Sequence, residues 1–234
     1  MELEDKIKDF IEILFYNALI KEVEEYRPEI HITDLSIPCL RRAYFNKLYE
    51  REHPELEVDK KSLKRLWIGK KLHETPLTRY HELELDYGNG LLKGQIDEMV
   101  KMKDGDKVIL LIIDKKTTEY KVKEPHEHYK TQVEYYSALL KMIHPEYFND
   151  VDEVWGVLLY ITLKKEDDII FFTWKIDVDK NVEELKNRIE EFSFALENNI
   201  IPDAIKGWWC NYCRWNTLCY KLDANKYEEV NNEE

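Results

Sequence analysis

A mixed α/β fold, a central β-sheet flanked by helices, is what the sequence predicts, and three observations carry that expectation. Gly88-Asn89-Gly90 separates two extended stretches, the signature of a β-hairpin. Leu110-Leu111-Ile112-Ile113 is apolar on both faces, as a strand in the buried middle of a sheet must be. Val182, Leu185, Ile189, Phe192 and Leu196 recur at intervals of three and four residues, the stripe of a helix lying on a core.

In chain order, Leu3, Ile7, Phe10, Ile11, Leu14, Phe15 and Ala18 keep helical spacing and predict an amphipathic first helix. Residues 38–50 and 60–74 read as two more helices. Alternation through His81-Glu82-Leu83-Glu84-Leu85 starts the first strand, and a second follows the glycine turn over residues 91–100. Lys103-Asp104-Gly105-Asp106 makes the next turn, into a third strand over 108–113. A helix over 125–142, strands over 154–162 and 169–176, the long last helix and a cysteine-rich tail complete the order. With seven glycines and no Gly/Ser linker, the chain predicts one compact unit over 1–234. Its parts are an acidic helical segment (1–29), a helical segment with one cysteine and a basic strip (30–75), the sheet and its helix (76–177), the last helix with the cysteine segment (178–222) and an acidic tail (223–234).

A net charge of -13 argues against a nucleic-acid partner at first sight, since such affinity comes largely from Lys and Arg meeting phosphates. The charge is unevenly placed, however, and the two acidic ends supply nine of the thirteen negative charges. Lys60, Lys61, Lys64, Arg65, Lys70 and Lys71 lie in a stretch without an acid, which is a local basic strip or a solvated helix face. The chain opens Met-Glu-Leu-Glu-Asp and no apolar run approaches ~18 residues, which predicts a cytoplasmic protein with no membrane span.

Cys39 stands alone near the start, while Cys210, Cys213 and Cys219 form a C-x2-C-x5-C group at the end. Four soft thiolates suit zinc or an iron-sulfur cluster. Structural zinc sites usually pair their cysteines in short knuckles, so one distant ligand and a five-residue gap fit 4Fe-4S better. The alternatives are four ordinary buried thiols or a disulfide pair in a secreted protein.

The second strand carries Gly94-Gln95-Ile96-Asp97, and the third runs into Asp114-Lys115-Lys116. If the two strands pair through the Asp104-Gly105 turn, both carboxylates reach one end of the sheet. Period-two geometry then sets Asp114 and Lys116 on one face and Lys115 on the other. Two carboxylates beside an apolar strand suit a divalent cation, with Lys116 next to it to orient a water or help deprotonate it. A simple Asp-Lys salt bridge is the rival explanation. Against it stand His73 at the end of the basic strip, a credible further ligand, and Gln132 and Tyr136 at i and i+4 on one helical face. His126 and His128 read as exposed at a helix start rather than as ligands.

Together these residues resemble the PD-(D/E)xK nuclease superfamily, with its restriction-endonuclease-like core, and within it the RecB-like branch that carries an iron-sulfur cluster. Asp97 matches the first acidic motif, Asp114-x-Lys116 the (D/E)xK motif, His73 the branch histidine and Gln132-x-x-x-Tyr136 the QxxxY motif. Cys39 followed by Arg41-Arg42, with the terminal cysteine group, is similar to the CRISPR-associated exonuclease family Cas-four. That resemblance implies Mg- or Mn-dependent hydrolysis of DNA, with the metal on His73, Asp97, Asp114 and the Lys115 carbonyl and with Lys116 steadying charge on the phosphate. It implies that Gln132 and Tyr136 orient the strand, and we expect Lys64 and Arg65 to bind DNA too. It also implies a cysteine-clamped 4Fe-4S module joining the N- and C-terminal segments, and action as an exonuclease on single strands or overhangs. The expected partners are DNA and the Cas-one and Cas-two integrase of CRISPR adaptation, an antiviral defence system, with homo-oligomer formation left open. Trp208, Trp209, Tyr212 and Trp215 are expected to jacket the cluster rather than stack on bases. Other readings are a repair or virus-encoded nuclease of the same fold, a non-catalytic DNA-binding scaffold, and a zinc-stapled interaction domain.

Overall fold

The computed structural model describes residues 3–23, 28–52, 60–163 and 169–231. Its helices are α1 (Leu3–Val23), α2 (Ile32–Leu35), α3 (Leu40–Glu52), α4 (Lys60–His73), α5 (Glu127–Ile143), α6 (Val178–Glu197) and α7 (Asn216–Asn231). Its strands are β1 (Ile30–His31), β2 (Tyr80–Tyr87), β3 (Leu92–Asp104), β4 (Lys107–Thr118), β5 (Glu153–Thr162) and β6 (Ile169–Lys175). The mixed sheet is ordered β1-β3-β4-β5-β6, with β2 also paired to β3. The β2–β3 and β3–β4 hairpins are antiparallel, β4 and β5 run parallel with α5 between them, and β6 returns antiparallel. Among the described residues, no helix is long and apolar enough to cross a membrane.

Local chemistry accounts for the frame. At the first hairpin Gly88, Asn89 and Gly90 all take positive φ, conformations that glycine and asparagine adopt most readily. Along α5, Val133, Ala138, Leu139 and Leu140 are buried against the sheet, and α6 packs over α5 with Leu185, Ile189 and Phe192 turned inward. Close approach of α5 to β3 requires Gly94: a Cβ there would lie 3.0–3.2 Å from Ile32, Tyr136 and Leu139. On β4, Leu110 and Ile112 are fully buried on one face while Ile109, Leu111 and Ile113 are half-buried on the other, the α4 side of the strand.

Two expectations need correction. The third strand does not stop at Ile113. It continues to Thr118, paired in parallel with β5 throughout, so Asp114-Lys115-Lys116 lies within the strand rather than at its end. α1 forms, but its apolar stripe does not enter the core: Phe10 is 60 % exposed and Ile7, Ile11, Leu14 and Phe15 are also open, with α4 as its neighbour. Periodicity specified the helix and left its partner unspecified. The acidic tail continues helically as far as Asn231, and residues 232–234 lie outside the described residues, as do residues 24–27 of the N-terminal segment.

Candidate active site and cysteine cleft

The β3–β4 ladder ends at the pair Glu98 and Ile113. One step further, Asp97 and Asp114 would be the next partners, but the strands have begun to part. On the other side of β3 the ladder skips the same level, since His81 pairs with Glu98 and Leu83 with Ile96, while Glu82 between them takes φ 48°. Asp97 therefore sits at a break in both ladders, and its side chain replaces a lost ladder bond: Oδ2 accepts from the Lys115 backbone N–H at 2.6 Å. Its Oδ1 lies 2.8 Å from Nδ1 of His73 at the end of α4.

Asp114 is 1 % exposed. Its Oδ1 accepts a hydrogen bond from Lys116 Nζ at 2.9 Å. Its Oδ2 stands 2.7 Å from the same nitrogen, out of line for a hydrogen bond, and is left a buried oxygen with no hydrogen-bond donor. Burial pushes the Asp114 carboxyl up to about 6, and the Asp97 charge pushes the same way against the pull of Lys116 and His73. Burial works to lower the Lys116 ammonium, but Asp114 and then Asp97 outweigh it and hold the group above the ordinary lysine value. Lys116 is thus placed as a cation and donor beside Asp114. Its Nζ lies 4.8 Å from the Tyr129 ring centroid.

The opposite face of the same strands holds a pair that the sequence did not announce. Glu98 and Lys115 are buried and bonded at 2.9 Å. Glu98 also accepts from the Leu77 and Thr78 backbone N–H groups and from the Thr78 hydroxyl, and it lies 3.0 Å from His81 Nδ1. Burial alone would raise this carboxyl, but the bonds from Lys115, Leu77 and Thr78 hold it below its ordinary value. Lys115 Nζ donates to the carbonyls of His73 and Thr75, tying the end of α4 to the sheet and setting His73 beside Asp97. A Glu next to an Asp and a Lys next to a Lys look like solvated charges in a sequence. Only the strand register shows that they face inward together.

Gln132 and Tyr136 do share a face of α5, and Gln132 Nε2 donates to the Tyr136 hydroxyl at 2.8 Å. Both are buried. On the basic strip, Lys64 is exposed and Arg65 lies 3.7 Å from Glu119, while the side chains of Lys60 and Lys61 lie outside the described residues. His126 is exposed as expected, whereas His128 is not: it is half-buried with its ring centroid 3.9 Å from that of Tyr129.

The four cysteines are free thiols that line one cleft, together with Arg41, Arg42, Trp209 and Trp215. Chain ends about 170 residues apart meet there. Arg41 is the tie: Nε donates to the Pro202 carbonyl at 2.7 Å, and Nη1 donates to Cys219 Sγ at 3.3 Å and Asp223 Oδ1 at 2.7 Å. From α6, Arg188 donates to the carbonyls of Leu35, Ile37 and Pro38 and so fixes the turn before Cys39. Trp209 and Trp215 face the cleft as a jacket would. Trp208 and Tyr212 do not line it and are 67 % and 83 % exposed. Among the described residues, no three His, Cys, Asp or Glu side chains converge as a ready-made ion site, at the cleft or at the sheet.

The sequence profile of the PD-(D/E)XK nuclease superfamily matches residues 16–220. No curated protein matches the sequence. Among solved structures, SSO0001 is 22% identical, with a TM-score of 0.49 over 90% of this chain and 96% of that one. LHK-Exo in complex with dAMP is 13% identical, with a TM-score of 0.49 over 76% of this chain and 92% of that one.

Proposed function

The chain belongs to the PD-(D/E)XK nuclease superfamily, and on that premise we propose that it is a divalent-metal-dependent DNA nuclease, acting as an exonuclease on single strands or overhangs. The observation that carries this reading is the fork itself: Asp97 and Asp114 opposite one another where the ladder opens, with Lys116 on Asp114 and His73 on Asp97. The donor set fits Mg or Mn, which take carboxylate, carbonyl and imidazole ligands. Asp114 Oδ2, buried and met by the Lys116 ammonium at 2.7 Å without a hydrogen bond in line, is the kind of atom such a cation can take over. His73, Asp97, Asp114 and the Lys115 carbonyl would hold the ion, which when bound polarises the scissile phosphate and acidifies a water.

The protein's own groups do the rest. Lys115 and Glu98 hold the strands and the end of α4 in place, so that His73 and Asp97 keep their geometry without relying on a ligand. Lys116 donates to a phosphate oxygen or to the attacking water and offsets the negative charge that builds in the transition state. Tyr129 closes the face behind it. A scaffold that had lost catalysis would have no need to keep Asp97, Asp114 and Lys116 together in the interior, where their charges are costly.

For the cleft we propose a 4Fe-4S cluster on Cys39, Cys210, Cys213 and Cys219. Four free thiols on one cleft, one of them receiving an arginine N–H, suit anionic sulfur ligands. The cluster would act as a clamp between the segment before the sheet and the one after α6. The CRISPR-adaptation role, with the Cas-one and Cas-two integrase as partner, is supported by the resemblance in Cys39, Arg41, Arg42 and the terminal cysteines. Failure to co-purify with that integrase would favour a repair or virus-encoded nuclease of the same chemistry.

The direct test is cleavage of end-labelled single-stranded, duplex and overhang DNA with and without Mn. Metal-dependent shortening from an end supports the proposal, and no cleavage of any substrate contradicts it. Anaerobically purified protein should be brown with about four irons per chain. Colourless, zinc-loaded protein would overturn the cluster.

A further inference from the structure

Two surfaces expose large apolar side chains, and their charges differ. On α1 the open residues belong to an acidic segment, a setting that repels phosphate. The stretch 204–221 is the reverse: it carries five aromatic residues, Lys206, Arg214 and Lys221, and no acid of its own, although Lys206 pairs with the flanking Asp223 at 2.9 Å. Within it Trp208 and Tyr212 turn away from the cysteine cleft, with ring centroids 6.4 Å apart and most of each ring open to solvent. Arg214 lies over the rings of Tyr49 and Trp215 at 4.6 and 5.1 Å and makes no ion pair among the described residues. An aromatic jacket has no reason to leave its rings in water. A surface for unpaired bases does, because stacking needs an open π-face and the backbone needs cations nearby.

Trp208 packs edge-on against Trp209, which lines the cleft alongside Arg42. Arg42 also makes no ion pair among the described residues. On the sheet side, His128 packs its ring on Tyr129 beneath Lys116. Burial first, then the charges of His126, Arg42 and Lys116, push His128 down to about 4.

We propose that Trp208 and Tyr212 form a stacking platform for unpaired bases of single-stranded DNA, with Arg42 and Arg214 as the nearby cations for its backbone. The proposal rests on the nuclease reading for the identity of the strand's far end. It gives the cysteine segment a binding role in addition to its clamp role, and it predicts that single strands are preferred because paired bases cannot stack on protein rings.

The test is fluorescence anisotropy with a labelled dT20 oligonucleotide and the full-length, anaerobically purified protein, in buffer without added divalent metal. Trp208→Ala/Tyr212→Ala should weaken dT20 binding by roughly 10–100-fold. Trp208→Phe/Tyr212→Phe, which keeps both π-faces, should stay within about threefold of wild type. Trp208→Leu/Tyr212→Leu keeps apolar bulk without π-faces and should behave like the alanine pair. Equal dT20 binding by wild type and all three pairs overturns the platform and leaves the rings to a protein contact, as does a leucine pair that binds like the phenylalanine pair. Cleavage by wild type is scored separately. If wild type cuts no DNA, the nuclease reading falls, and the dT20 comparison still decides the platform.

Discussion

The sheet fork and the cysteine cleft are organised in opposite ways. At the fork, Asp97, Glu98, Asp114, Lys115 and Lys116 come from two adjacent strands, are nearly all buried, and bond to one another before any ligand arrives. At the cleft the four thiols come from the two ends of the chain, three of them are half-exposed, and the gap is spanned by Arg41 and by the Trp215–Asn46 hydrogen bond. A site made by strand register is preorganised by the same ladder that makes the sheet. A site made by chain closure depends on long-range ties and gains most from a ligand that completes it. The comparison therefore predicts that the fork keeps its shape without a metal and that the cleft loses stability without its occupant.

The largest effect should come from breaking the brace behind the fork. Glu98→Ala or Lys115→Ala leaves its partner's charge buried and unpaired, a loss of about 3–5 kcal/mol in denaturant melts. A loss under about 1 kcal/mol would show that the pair does not hold the fork.

Next comes the tie across the cleft. Arg41→Ala removes bonds to Pro202, Cys219 and Asp223 and should cost about 3 kcal/mol together with a fall in bound iron. Arg41→Lys should not restore either, because an ammonium cannot span three acceptors as a guanidinium does. If Arg41→Ala melts like wild type and keeps its iron, the cleft is self-supporting and the contrast fails.

A smaller, pH-dependent effect follows from Asp114. Its carboxyl titrates near 6 in the folded protein, above its ordinary value of 3.8. The folded state therefore takes up the proton first as pH falls, and the cost of the buried charge, present above about 6, is relieved between about 6 and about 4. Without divalent metal, this group should add on the order of 1 kcal/mol of stability between pH 7 and pH 5, measured against Asp114→Asn. Metal binding needs the ionised carboxylate, so Mn affinity by calorimetry should fall about tenfold over the same interval. A pH-independent affinity would contradict the assignment of Asp114 as a ligand.

What the sequence made legible, and what it hid, follows the same division. Periods of two and 3.6 residues exposed the hairpin at Gly88–Gly90, the apolar run of β4 and the faces of α5 and α6, and the acids stood out against apolar neighbours. Glu98 and Lys115 did not, because alternation says that neighbouring residues point to opposite faces and does not say which opposite face is also sealed. The continuation of β4 past Ile113 was hidden by its charges, which read as a strand end. Cysteine spacing announced a joint site, but Arg41 as its tie and the outward turn of Trp208 and Tyr212 depend on contacts between segments about 170 residues apart. The apolar stripe of α1 likewise specified a helix without naming what would cover it.

The smallest effect belongs to the basic strip. Lys64→Ala/Arg65→Ala should leave both sites intact and lower the salt slope of single-strand binding by up to about 0.7 per lost phosphate contact. An unchanged slope in a titration of Kd against salt would make the strip a solvated face, its charges engaged locally as in the Arg65–Glu119 and Lys71–Glu74 contacts.

The central claim, that the fork is a hydrolytic centre held ready by the fold, is tested most directly by measuring Mn binding and DNA cleavage on the same preparations of wild type, Asp97→Ala, Asp114→Ala and Lys116→Ala. Both aspartate variants should lose Mn binding and cleavage together. Lys116→Ala should still bind Mn yet cut about 100-fold or more slowly, the loss expected when one electrostatic contact to the transition state is removed. All three should keep whatever iron the wild type binds at the proposed cluster, because the four cysteines lie outside the sheet. If all three cut DNA at the wild-type rate, the fork is not the hydrolytic centre and the account is wrong.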